Sequence, residues 1–147
     1  MRYIKLLLGL FLFVGLAACS NTSDRIDLEL ASDYEKLPQP RFQAREANRP
    51  GQLPQYNEIR VYDVTSCQLP YCPLMWRIIL PDNFGAGDFY YGGQPTFGAH
   101  TINSAKTLQP NSKYEVVVGP VDKSYHYQRG QLGFEVNEAG EIVPLGE

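Results

Sequence analysis

Side chains that do chemistry are scarce in this sequence. Its 147 residues hold two histidines, three cysteines and one tryptophan. A hydrolytic triad would have to be built on His100 or His126 beside a Ser and an Asp. Ser104 lies near the first and Ser124 near the second, yet no Gly-x-Ser-x-Gly turn presents a nucleophile. Cys67, Cys72, His100 and His126 match no zinc-ligand spacing. Gly85-Ala86-Gly87 is no phosphate loop, because no helical sequence follows it to supply a cluster of backbone amides. Asp82 and Asp88 can be paired for glycoside chemistry only in the sense that carboxylates of any acidic domain can. These shortages point away from an enzyme and require no cofactor or metal.

An excess of positive charge is also missing, with 13 Lys and Arg against 16 Asp and Glu. Without a basic cluster the chain is unsuited to nucleic acid, or to binding anionic lipid through its surface. Nor is there an apolar run long enough to cross a bilayer. The longest covers residues 6–16, 11 residues, where a spanning helix needs about 20. That run follows Arg2 and Lys5 and ends in small residues, which is the pattern of a signal peptide. Its last four residues, Leu16-Ala17-Ala18-Cys19, resemble the lipobox of bacterial lipoproteins. The resemblance implies a diacylglycerol on the Cys19 sulfur, cleavage before Cys19 and acylation of the new amine. Ser20 and Asn21 lack the Asp that typically retains such proteins in the inner membrane, so the expected location is the outer membrane, through the N-terminal lipid.

Cysteine arithmetic agrees. Cys67 and Cys72 enclose Gln-Leu-Pro-Tyr, and two cysteines this close around a proline turn should pair in an oxidising envelope. The odd thiol is then Cys19, which lipidation consumes. A redox-active pair would resemble Cys-x-x-Cys at a helix start, and neither the gap nor the following sequence fits.

Loss of residues 1–18 leaves 129, with 11 Lys and Arg against 16 Asp and Glu. That length suits one domain of about 90 to 100 residues plus a tail. Residues 19–55 read as the tail, a lipidated cysteine on a flexible tether. Pro38, Pro40, Pro50 and Pro54 are spread through Gln, Arg and Asn, and residues 37–41 read as extended chain. Ile26, Leu30, Tyr34 and Leu37 are compatible with one short amphipathic helix, but the stripe is thin and the leash is the favoured reading.

Residues 56–147 carry strand patterns to the end. Residues 58–65 alternate, 74–80 form a strongly apolar strand, and 88–91 and 97–102 suggest short ones amid glycine. Residues 114–118 are a clear strand, and 133–136 turn through Asn137-Glu138-Ala139-Gly140 into 141–143. Six or seven short strands with turn signals every 8 to 12 residues predict an all-β fold, a single antiparallel sandwich.

The segment Leu108-x-Pro110-x-Ser112-x-Tyr114-x-Val116-x-Val118 resembles the signature of fibronectin type III domains, with Ser112 where that family usually has Thr. The resemblance implies an immunoglobulin/fibronectin type III-like sandwich in which Tyr114 fills a corner of the core and ties its hydroxyl to nearby backbone. It also sets 61–66 at the end of the first strand and Trp76 on the second. A transthyretin-like sandwich or a small Greek-key barrel is the alternative.

Tyrosine is abundant, ten in all. Two aromatic groups lie beside glycine turns or in loops, Phe89-Tyr90-Tyr91 with Phe97, and Tyr125-His126-Tyr127. Tyr90, Tyr91, Tyr125 and Tyr127 are the candidate contact residues, since surface tyrosines make good anchors for a protein or a glycan. Two functions follow. The first is a non-catalytic envelope interaction or assembly accessory with a protein partner. The second is a glycan or small-ligand binder, which a deep pocket beside the aromatic loops would favour.

Overall fold

A computed structural model describes residues 25–31, 39–49, 51–81, 87–121 and 129–146. Its strands are β1 (Ile26–Leu30), β2 (Arg41–Glu46), β3 (Glu58–Asp63), β4 (Leu74–Ile79) and β5 (Asp88–Tyr90), followed by β6 (His100–Asn103), β7 (Ser112–Gly119), β8 (Gly130–Val136) and β9 (Ile142–Pro144). They form two antiparallel sheets, β1-β2-β5 and β6-β4-β3-β7-β8-β9. The fold is an all-β sandwich, as the alternation predicts.

Period-two patterning decides which residues meet between the sheets. From the larger sheet Ile59, Val61, Trp76, Ile78, Tyr114, Val116, Val118, Phe134 and Val136 turn inward, and from the smaller sheet Ile26, Leu28, Phe42, Ala44 and Phe89. Rings interlock across the gap, with Phe42 and Phe134 centroids 5.5 Å apart and Trp76 and Phe89 6.5 Å apart. Fully burying such side chains contributes about 1.5 to 3 kcal/mol each, so the five inward residues of the smaller sheet are a large part of what holds the two layers together.

The tether reading of residues 19–55 is corrected by this arrangement. Both β1 and β2 fall inside that range, paired in register from Ile26 opposite Glu46 to Leu30 opposite Phe42. The physical reason is visible in Ile26-Asp27-Leu28-Glu29-Leu30, which alternates with a period of two; the spacing from Ile26 to Leu30 suits a helix equally, and the partner strand decides it. The folded part therefore includes residues from Arg25 onward rather than from residue 56. The strand count shifts with it, so Val61 lies on the third strand and Trp76 on the fourth, not on the first and second.

The registers also fix two opposite poles. Glu58 pairs with Gly119 and Asp63 with Tyr114, while Ser112 pairs with Val136 and Val118 with Gly130. The start of β1 bridges to Arg129, beside the start of β8. Arg25, Pro81, Val121 and Arg129 thus share one pole, and the Cys67–Cys72 loop and the turn at Asn137 share the other. Strands of six to eight residues at about 3.3 Å per residue separate the two by roughly 20 Å.

Candidate interaction surfaces

At the pole away from Arg25, the connection between β3 and β4 is closed by the Cys67–Cys72 disulfide, with Cα atoms 5.5 Å apart. The expected pairing is present. Inside this ring the Tyr71 N–H donates to the Gln68 carbonyl at 3.2 Å. The loop is tied down at its base, where the Thr65 N–H donates to the Asp63 carboxylate at 2.9 Å and the Thr65 hydroxyl accepts from the Lys113 N–H at 3.0 Å. A ring this short has no room to fold its own side chain inward, and Tyr71 stands 90% exposed.

Of the four tyrosines singled out in the sequence, Tyr90 and Tyr91 prove to be a divided pair. Tyr90, 39% exposed, is on the outer face of the smaller sheet opposite Arg41. Tyr91 is buried, which corrects its reading as a contact residue. Its hydroxyl donates to the Lys106 carbonyl at 2.7 Å, its ring meets Trp76 edge-on at 5.6 Å, and burial, with Tyr114 nearby, pushes its phenol up to about 12. The reason is that the period of two in β5 carries on through Tyr91, which falls on the inner side with Phe89 while Tyr90 faces out. Tyr125, Tyr127 and Cys19 lie outside the described residues.

The outer face of the larger sheet carries a cluster that sequence reasoning missed. The Glu58 side chain is 2% exposed, with its carboxylate accepting from the Arg77 Nε at 2.7 Å and lying 3.3 Å from the Arg60 Nε. Arg60 and Arg77 are cross-strand neighbours. One buried acid thus holds two arginines side by side, an arrangement whose signal in the sequence, a Glu-x-Arg on one strand and an Arg on the next, has meaning only once the register is known. Such a pairing offsets the cost of burying the carboxylate.

Two open grooves run along the sandwich. One, about 730 Å³, lies between β1 and the outer side of β7 and β8, where Arg25, Asp27, Glu115, Arg129 and Gln131 line it. Burial raises the Glu115 carboxyl above its ordinary value. The other, about 590 Å³, crosses the outer face of the smaller sheet between Arg45, Leu53 and Asp88. Among the described residues, neither groove is lined by an aromatic ring. Among the described residues no group of three or more His, Cys, Asp or Glu gathers as metal ligands would.

The other exposed large apolar side chains among the described residues are Leu53, Phe97, Ile102, Val121 and Val143. Phe97, 99% exposed, precedes Gly98, whose φ of 84° makes the turn into β6 and where an added β-carbon would lie 3.4 Å from Pro81. The sequence contains no sign that would separate this phenylalanine from a core residue. Compared with protein-family models, curated proteins and solved structures, the chain matches none.

Proposed function

We propose that the chain is an outer-membrane-anchored lipoprotein whose sandwich acts without catalysis, as an interaction or assembly accessory module of the envelope. The observation that carries this reading is Leu16-Ala17-Ala18-Cys19 after a basic head and an 11-residue apolar run. The disulfide supports an oxidising compartment. The disulfide-held Tyr71 supports binding, since a rigid aromatic side chain loses little freedom on meeting a partner.

Kinship with immunoglobulin and fibronectin type III sandwiches belongs to the same proposal. In immunoglobulin domains strands A, B and E share one sheet and C, F and G the other. Lettering β1, β2, β3, β5, β7 and β8 in that order as A, B, C, E, F and G gives the same division. The buried Tyr114, whose hydroxyl accepts from the Gln109 N–H at 2.8 Å, supplies the corner.

The test is replacement of Cys19 by Ala in cells, followed by fractionation and mass spectrometry of both proteins. The native form should sediment with outer membranes and carry fatty acids on an N-terminus beginning at Cys19. The variant should appear in the soluble periplasmic fraction. An unmodified Cys19 in membrane-derived native protein would end this reading.

A further inference from the structure

The lipid reading, combined with the position of β1, has a geometric consequence. Cys19 precedes Arg25 by six residues, and six residues reach at most about 22 Å when fully extended. Arg25 already belongs to the sandwich, since the next residue, Ile26, donates its N–H to the Arg129 carbonyl at 2.6 Å. An acylated Cys19 sits among lipid headgroups, and the polar zone of a bilayer is about 5 to 7 Å deep on each side. The domain therefore cannot stand far off the surface.

The pole brought closest is the one that carries Arg25, because the chain from Cys19 enters the sandwich there. Three of the exposed apolar side chains stand there. Val121, 43% exposed, is fixed by its N–H donating to the Asn57 side chain at 2.8 Å. Phe97 lies beside Gly98 and Pro81, and Leu53, 61% exposed, lies in the connection from β2 to β3. Toward the opposite pole, the exposed large apolar side chains among the described residues are Tyr71, Tyr90 and Val143. Among the described residues, the carboxylates of Asp27, Glu46 and Glu58 at the Arg25 pole are paired with arginines. The Asp27 carboxylate is held by Arg25 at 3.0 Å and that of Glu46 by Arg49 at 2.8 Å, and Arg129 is exposed beside them.

We infer that the Arg25 pole is a lipid-facing surface, on which Phe97, Leu53 and Val121 seat in the headgroup zone of the membrane that holds Cys19. This rests on acylation of Cys19. Apolar side chains gain from leaving water at that depth, and the acyl chains on Cys19, not surface charge, supply the attraction to the bilayer. The opposite pole, with the disulfide ring and Tyr71, then points away from the membrane.

The full-length acylated protein is placed in vesicles of phosphatidylethanolamine and phosphatidylglycerol containing a nitroxide-labelled lipid. A solvent-sensitive fluorophore is attached at Phe97→Cys in one preparation and at Glu138→Cys, on the turn of the opposite pole, in another. The expected result is a blue-shifted emission and loss of intensity to the lipid nitroxide at 97, with neither change at 138. Equal response at the two positions, or quenching at 138 alone, overturns the orientation. Mass spectrometry of the same samples separates the two levels: acylated protein with an unquenched probe at 97 refutes the surface alone, and protein without acyl chains refutes the anchor and the surface together. A Phe97→Ser variant guards against an effect of the label, and should show weaker quenching of a probe placed at Val121→Cys.

Discussion

Gly130 lies against Ile26 so closely that a β-carbon at 130 would sit 2.5 Å from the Ile26 carbonyl oxygen and 2.9 Å from its β-carbon. The smaller sheet closes onto the larger through this contact. Gly130→Ala should force β1 outward and lower stability by about 1 to 3 kcal/mol, the range for inserting atoms into a filled space. Gly146→Ala, with nothing within 4 Å of the added carbon, should leave the urea midpoint unchanged. Equal midpoints for the two variants would mean that β1 does not close on β8 as described.

Glu58 holds both Arg60 and Arg77 while almost wholly out of water. Glu58→Gln keeps the shape and removes the charge, so its expected cost is that of charge-assisted hydrogen bonds, about 1.5 to 3 kcal/mol. A double-mutant cycle with Arg77→Gln should show coupling between the two positions in chemical denaturation; additive losses would contradict the pairing.

The hydroxyl of Tyr114 meets the Gln109 N–H at 2.8 Å from inside the core. Tyr114→Phe leaves that N–H without its acceptor and should cost about 1 to 3 kcal/mol, with the core ring itself unchanged. Thermal or urea unfolding measures it directly.

Tyr91 provides a test in alkali. Its phenol is raised from 10.0 to about 12 in the folded chain, so the unfolded chain loses this proton first. The stabilisation is fully present below pH 10 and is lost as pH rises toward 12, where the folded form ionises as well. Tyr56, buried and raised further in the same direction, adds to the slope. Urea midpoints measured from pH 8 to pH 11 should fall, and Tyr91→Phe should flatten the fall without abolishing it.

Removing residues 19–55, the stretch that reads as a leash, takes away β1 and β2 and with them Ile26, Leu28, Phe42 and Ala44 of the core. A chain beginning at residue 56 should lack the dispersed amide spectrum of a folded protein. A well-dispersed spectrum from that fragment would contradict the place of these strands in the core.

Legibility followed contrast. The run 114–118 and the strand at 74–80 stand out because large β-branched and apolar residues fill one side or both, and the structure places strands there. Strand β2 was hidden because its inward apolar residues are Phe42 and Ala44, amid Arg, Gln and Glu, with prolines nearby that suggest extended chain. Its apolar signal is one ring and one methyl group. The Cys67–Cys72 pair followed from spacing and compartment, whereas the exposure of Tyr71 needed the ring's closure to be known. Tyr91 was misread because it was placed on the surface together with its neighbour Tyr90, whereas alternation sends only one of an adjacent pair outward. The Glu58 cluster needed cross-strand register, which no local pattern contains.

The ladder between β1 and β2 also bears on mechanics. Its hydrogen bonds lie across the strand direction, from Ile26 opposite Glu46 to Leu30 opposite Phe42. A pull applied between the N-terminal end of β1 and the disulfide pole runs along β1, so the five register pairs are loaded in shear and must give together rather than peel one after another. The first strand is thus a mechanical latch as well as a wall of the core.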